Sequence, residues 1–262
     1  MLRYRDKEDI EARVGEVDEA VEAWRQYVPN VSQALKSEFE NRLRISLIYH
    51  DSALEGDVLT YSEIKAAIDP FIISDATLIP AYDTIKQYYE ACGFADEHVS
   101  KKRAFKLETI HEIYTLLAPE EKAKGYPFRK ENPLHRLYYH DIAAPEAIAE
   151  EMRRLGKWLE DPALKSKHPI ERVAETHFQM MAIFPYAKQS GRCARIVSNL
   201  LLREARYPIA VIHSIDRQAY YESLRGDSQA LLSIYLEAVQ TAALSEMRVY
   251  EEAASAPIRR RA

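Results

Sequence analysis

Three cations lie within eight residues of the 262-residue chain, Lys188, Arg192 and Arg195, and they bracket Ser190 and Gly191. Ser190 opens a helical stretch, so the cations gather at a helix N-terminus, where unpaired amides and the helix dipole favour an anion. Lys188, Ser190, Gly191, Arg192 and Arg195 are therefore the candidate set for holding an anion. Ser190 also has a plainer reading as a helix N-cap, and the two are compatible. Upstream, Asp51-Ser52-Ala53-Leu54-Glu55-Gly56-Asp57 carries a Glu-Gly pair that reads, taken alone, as a helix C-terminus with a surface glutamate. Other chemistry is missing from the chain. It has no Walker loop, GxSxG elbow, HExxH, CxxC or EF-hand loop. None of the eight histidines pairs with another at helical ligand spacing, and His111-Glu112 lacks the second histidine of a zinc motif. His135 and His140 fall in an irregular segment where both can face solvent.

The elements that position these residues are helices. Hydrophobic residues make up 47% and charged residues 29% of the chain, the balance of a globular protein. Seven glycines, where average usage would give roughly 18, leave few tight turns. The net charge of −5 argues against a dedicated nucleic-acid binder. Two cysteines, Cys92 and Cys193, build no disulfide framework. No apolar run reaches a membrane span and the first residues are no signal peptide, so a cytoplasmic location is expected. Val14, Val17, Val21, Trp24 and Val28 recur at helical spacing. A second helix is expected over 31–48. Thr60-Tyr61-Ser62-Glu63 is a capping box opening a short helix that Pro70 stops. Further helices fit 77–92, 99–117, 145–160 with Ile148, Met152, Leu155 and Leu159 inward, 169–183 with Pro169 at its start, 190–206, 214–224 and 227–253. The segment 125–144 breaks the pattern with two prolines and a β-prone run from Leu134 to Ile142, which reads as a hairpin or flap.

Residues 168–212 resemble the core of the Fic (Fic/Doc) family, which places a loop of pattern HPFx(D/E)GNGRxxR between two helices. Here the loop reads Phe184-Pro185-Tyr186-Ala187-Lys188-Gln189-Ser190-Gly191-Arg192-Cys193-Ala194-Arg195. The likeness extends upstream to a flap beginning at Phe128-Arg129. Downstream, Asp216-Arg217-Gln218-Ala219-Tyr220-Tyr221-Glu222-Ser223-Leu224 matches the family's DRxxYYxxL stretch, so roughly 105–245 is covered. The resemblance implies an all-α fold with N-terminal helices and one small β-hairpin flap. It implies a region 1–100 that includes an inhibitory helix at 45–57, a Fic core at 101–253 and a tail at 254–262. It further implies transfer of AMP from ATP, in which the loop's histidine is the base and its acid holds magnesium. Phe184 stands at the histidine and Lys188 at the acid, so both catalytic positions are degenerate. Gln189 stands at a glycine and is strained if that position needs a positive φ. The family's inhibitory pattern (S/T)xxxE(G/N) is met by Glu55 and Gly56, with Asp51 departing at the Ser/Thr position. Glu55 is then expected within reach of Arg195 or Arg192.

The expectation is a pseudoenzyme of the adenylyltransferase family that works by binding a protein or a nucleotide. The alternative is a nucleotidyl- or phosphotransferase with altered chemistry and a replacement base, for which Tyr186, His140 and Glu55 are the candidates. A DNA-associated module is a third reading, disfavoured by the charge balance. No metal and no cofactor is required; ATP, ADP or phosphate would bind without magnesium, because charge pairing carries the contact. A protein partner would add as an extended strand to the flap, at Leu134, Leu137, Tyr138, Tyr139 and His140. A homo-oligomer is compatible with all of this.

Overall fold

The computed structural model describes residues 7–69, 81–122, 125, 128–133 and 140–255. Helices α1 (Lys7–Tyr27), α2 (Gln33–Glu55), α3 (Tyr61–Ile68), α4 (Tyr82–Ser100), α5 (Leu107–Leu117) and α6 (Pro119–Lys122) form the first half. Helices α7 (Ile148–Leu159), α8 (Pro162–Lys165), α9 (Pro169–Ile183), α10 (Ser190–Glu204), α11 (Arg217–Ser223) and α12 (Ser228–Ser255) form the second. No strand occurs among the described residues, so the fold is all-α. Of the β run expected from Leu134 to Ile142, residues 134–139 lie outside the described residues and 140–142 are not strand. None of the described helices is long and apolar enough to cross a membrane.

α10 is the central element. It is buried nearly all round, from Ser190 to Leu202, with α4, α5 and α9 packed on it. A helix with that little solvent-facing surface is buried among neighbours that each turn an apolar stripe toward it. α9 supplies Ile170, Val173, Ala174, Met180 and Met181, and α12 covers α9 and α1 with Leu231, Leu232, Tyr235, Leu236 and Val239. α7 buries Ile148, Met152, Leu155 and Leu159, the stripe read from the sequence.

Local signals set most boundaries. Thr60 and Glu63 close a capping box at the start of α3. Pro169 sits in the first turn of α9, where its missing N–H costs nothing. Some boundaries differ from expectation. The helices expected over 77–92 and 99–117 run 82–100 and 107–117, and Lys102, at a left-handed φ of 51°, lies in the turn between them. α2 runs on to Glu55 instead of ending near residue 48, so the expected inhibitory helix is the last part of one long helix. It stops at Gly56, whose φ of 97° needs no Cβ relief. The amide of Asp57 reaches back to Ser52 O at 2.9 Å, closing a Schellman turn.

The end of α2 is then fastened from outside. Leu54 is fully buried, and its carbonyl accepts from Arg217 Nε at 2.9 Å and from the Tyr221 hydroxyl at 3.0 Å. Two residues of the downstream DRxxYY stretch thus position the upstream carboxylates. Leu54→Ala should cost roughly 2–5 kcal/mol for the lost burial and the cavity left behind, read from urea unfolding monitored by circular dichroism.

Candidate functional site

The loop 184–189 joins α9 to α10, and its shape is set from beneath. Arg129 is buried and donates from Nε to Phe184 O at 2.7 Å and from Nη2 to Ile183 O at 3.4 Å. It also donates to Ala143 O and the Asn132 side chain, while its amide donates to Pro185 O at 2.9 Å. No carboxylate pairs with it among the described residues, and burial lowers its pKa from the ordinary guanidinium value. Tyr186 is fully buried and lies stacked on Tyr114, with ring centroids 3.5 Å apart and planes at 2°. Its hydroxyl meets His111 Nδ1 at 2.9 Å. The Ser190 hydroxyl closes the loop on itself, donating to Tyr186 O and accepting from Tyr186 N, each at 2.9 Å.

Two loop residues hold left-handed backbone without being glycine. Phe184 ends α9 at φ 46° and Gln189 precedes α10 at φ 65°. A non-glycine residue in that region costs on the order of 1–2 kcal/mol, so the surroundings hold both against strain. The strain expected at Gln189 is therefore present. The N-cap of α10 is Gln189 rather than Ser190, and no side chain caps the helix. Ser190 is the first helical residue, with its hydroxyl turned into the loop; that corrects its reading as the cap. Lys188 is exposed on the loop.

Above the first turn of α10 lies an ion cluster. Arg195 Nη2 is 2.6 Å from Glu55 Oε1, so the contact expected from the sequence is present. Asp51 is the residue that the sequence reading missed. It is 4% exposed and shared between both arginines, through Arg192 Nε at 3.2 Å and through Arg195 Nε. Arg192 also meets Asp57 Oδ2 at 2.7 Å, Gln189 Oε1 at 2.9 Å and Ser52 Oγ at 3.4 Å. Burial alone would lower the Arg195 pKa, but Asp51, Tyr220 and Glu55 outweigh it, and the guanidinium is raised well above its usual range. The same balance, with burial against Asp51, Glu55 and Asp57, raises Arg192. Gly191 has a reason of its own: a Cβ there would come within 2.4 Å of Glu55 Oε1 and 3.1 Å of Arg195 Nη1.

The cluster continues inward as a chain of hydrogen bonds. Arg195 Nη1 donates to the Tyr220 hydroxyl at 3.1 Å, and that hydroxyl meets His177 Nε2 at 2.9 Å. Since Tyr220 accepts from the arginine, its proton faces Nε2, and the network assigns the imidazole proton to Nδ1. Nδ1 lies 3.0 Å from Ser198 Oγ and 2.8 Å from the Tyr235 hydroxyl. Burial foremost, then Arg195, push the His177 pKa down to about 3.

The candidate replacement bases are all engaged elsewhere. Glu55 is ion-paired and the Tyr186 hydroxyl faces His111. His140 is buried rather than solvent-facing, with Nε2 2.9 Å from Met181 O, because the chain at Ala143 is drawn under the loop by its amide bond to Ala182 O at 2.8 Å. Of the expected flap contacts, Leu134, Leu137, Tyr138 and Tyr139 lie outside the described residues, and His140 is not offered to a partner.

Fold and loop together define a class: an all-α core whose two inner helices are joined by a loop that leads into an arginine-bearing first helical turn. Residues 104–202 match the family model described as Fic/DOC family. The chain is 27% identical over 179 residues to a protein adenylyltransferase Fic from Nematostella vectensis, across 68% of this chain and 42% of that protein. A protein adenylyltransferase Fic from Drosophila virilis is 26% identical over 181 residues, across 68% and 36%. The chain therefore spans less than half the length of these relatives. Fic-1 from C. elegans superimposes with a TM-score of 0.76 at 18% identity, over 91% of this chain and 72% of that one. A Fic-domain signaling protein from Bacteroides thetaiotaomicron gives 0.73 at 20%, over 92% and 97%. Residues 104–202 form a Fic domain.

The buried neutral His177 has a pH consequence. Its folded pKa of about 3 lies below the unfolded value, so the unfolded chain binds more protons as pH falls. Stability contributed by the neutral ring is whole above about pH 6.5 and should decline by about 1.4 kcal/mol per unit below it. His50, His98 and His111, also lowered chiefly by burial, act in the same direction. Urea unfolding at pH 7 and pH 5 should show a smaller acid loss in His177→Asn than in the parent chain, by about 2 kcal/mol.

Proposed function

We propose that the protein is a Fic-family pseudoenzyme, one that no longer transfers AMP and acts by binding. The observation that carries this reading is the state of the base. Phe184 stands at the position from which the family's histidine would take the target hydroxyl's proton, and a phenyl ring accepts none. Each side chain that could deputise is committed, Tyr186 to His111, His140 to the Met181 carbonyl and Glu55 to Arg195. A positioned base is worth about 10²–10⁴ in rate. The family's magnesium does not fit either. Lys188 stands at its ligand position, and an ammonium only donates hydrogen bonds.

Two kinds of ligand suit what is left. Nucleotide or phosphate at the α10 N-terminus would bind without magnesium and would have to displace carboxylates of α2. A protein segment could instead add to the flap. The chain before the flap is tied to the loop, through the Arg129 amide on Pro185 O, and the chain after it to the last turn of α9, through the Ala143 amide on Ala182 O, which gives a strand-adding partner a fixed base.

Labelled ATP with magnesium should label neither the protein nor proteins of a lysate. Glu55→Gly should not change that outcome, since the missing part is the base. Robust transfer by either protein would reverse the reading in favour of altered chemistry. Leu137→Pro should abolish binding of any protein partner that adds at the flap, as followed in a pull-down; undiminished binding would place the interface elsewhere.

A further inference from the structure

The inhibitory glutamate pattern accounts for Glu55, but it does not account for Asp51. The two differ in depth and in freedom. The Glu55 side chain keeps 16% of its exposure at the mouth of the site, while the Asp51 side chain keeps 4% and faces both arginines. Glu55 can swing aside about its own rotatable bonds. Asp51 has a shorter side chain, and the helix carrying it is fixed by buried Leu54 and by the hold of Arg217 and Tyr221 on the Leu54 carbonyl.

Charge leads to the same conclusion. Asp51, Glu55 and Asp57 set three negative charges against the two of Arg192 and Arg195. With a neutral residue at position 51, loss of Glu55 would leave the arginines with a single exposed acid, Asp57, and an excess of positive charge for a phosphate. In this chain, loss of Glu55 leaves two carboxylates facing two guanidinium groups. The two guanidinium groups stay neutralised, and Asp51 still occupies the Nε edges of both.

We infer that Asp51 is a second, constitutive plug of the anion site, so that a polyphosphate gains access only when Asp51 and Glu55 are both neutralised. Glu55 acts as the outer, movable closure and Asp51 as the inner, fixed one. This inference rests on the reading of the loop as a phosphate-binding segment. It is scored by binding, whereas the proposed loss of transfer is scored by labelling, so either can fail alone.

The test is calorimetry with inorganic tripolyphosphate, repeated with ATP, in chelator at low salt. It uses the full chain and the variants Glu55→Gln, Asp51→Asn and Asp51→Asn/Glu55→Gln, which keep the side-chain shapes. The double variant should bind tripolyphosphate on the order of 100-fold more tightly than Glu55→Gln, because a like charge beside the ligand has been removed. The parent and Glu55→Gln should bind weakly or not at all. If Glu55→Gln binds within about threefold of the double variant, or if the parent does, Asp51 is no plug and the inference is overturned. If the double variant is folded and does not bind, it is overturned as well. Removing Asp51 leaves two buried guanidinium groups, so the double variant could unfold on its own. In that case tripolyphosphate should restore a cooperative thermal transition by binding only the folded state, and a failure to restore it counts against the inference equally.

Discussion

Asp51 shares its two oxygens between Arg192 and Arg195, and much of the molecule is arranged around that contact. Burying three charged groups together is expensive unless every one is paired, and removing one member of such a set costs roughly 3–5 kcal/mol because the others stay buried. The arrangement here leaves none of them alone. Glu55 and Asp57 complete the arginines on the outer side, Tyr220 completes Arg195 on the inner side, and Arg217 with Tyr221 holds the helix end that delivers the acids. The helix dipoles add to this, since the C-terminal turn of α2 meets the N-terminal turn of α10 and their partial charges are opposite. The uncapped amides at the start of α10 thus face a negative helix end that belongs to the same chain.

Much of this architecture could be read from residue spacing. α9 begins and ends where Pro169 and the loop suggested, the inward stripe of α7 is the one expected, and the Thr60 capping box closes as its pattern implies. These features are local, and local signals survive in a sequence. Glu55 was found because its pattern is contiguous and its partner Arg195 falls in a recognisable loop. Asp51 was passed over because it was compared with the Ser/Thr of that pattern and counted as a departure. The signal was available: Asp51 and Glu55 are four apart on one helix face, and Arg192 and Arg195 are three apart on another, so the two faces are complementary in charge.

Arg129 could not have been found in that way. The partners through which it shapes the loop are backbone carbonyls more than fifty positions away, and a carbonyl carries no sequence signature. The same holds for the Ser190 hydroxyl, whose partners are the amide and carbonyl of Tyr186. His140 was misjudged because its neighbours are polar and irregular, although the chain just after it is drawn beneath the loop. His177 was passed over as one histidine among eight; its network requires Tyr220 and Tyr235, which reach it only after α11 and α12 have folded back on α9.

The loop's backbone is held by groups outside it or at its edges: Arg129 on its carbonyls, Tyr114 under Tyr186, and Ser190 closing its far end. Its shape is therefore a property of its walls more than of the side chains it carries at positions 184 and 188. Those positions can change type without releasing the turn, even when the turn asks a phenylalanine to adopt a glycine-like φ. A mould of this kind decouples the form of a loop from the chemistry of its side chains.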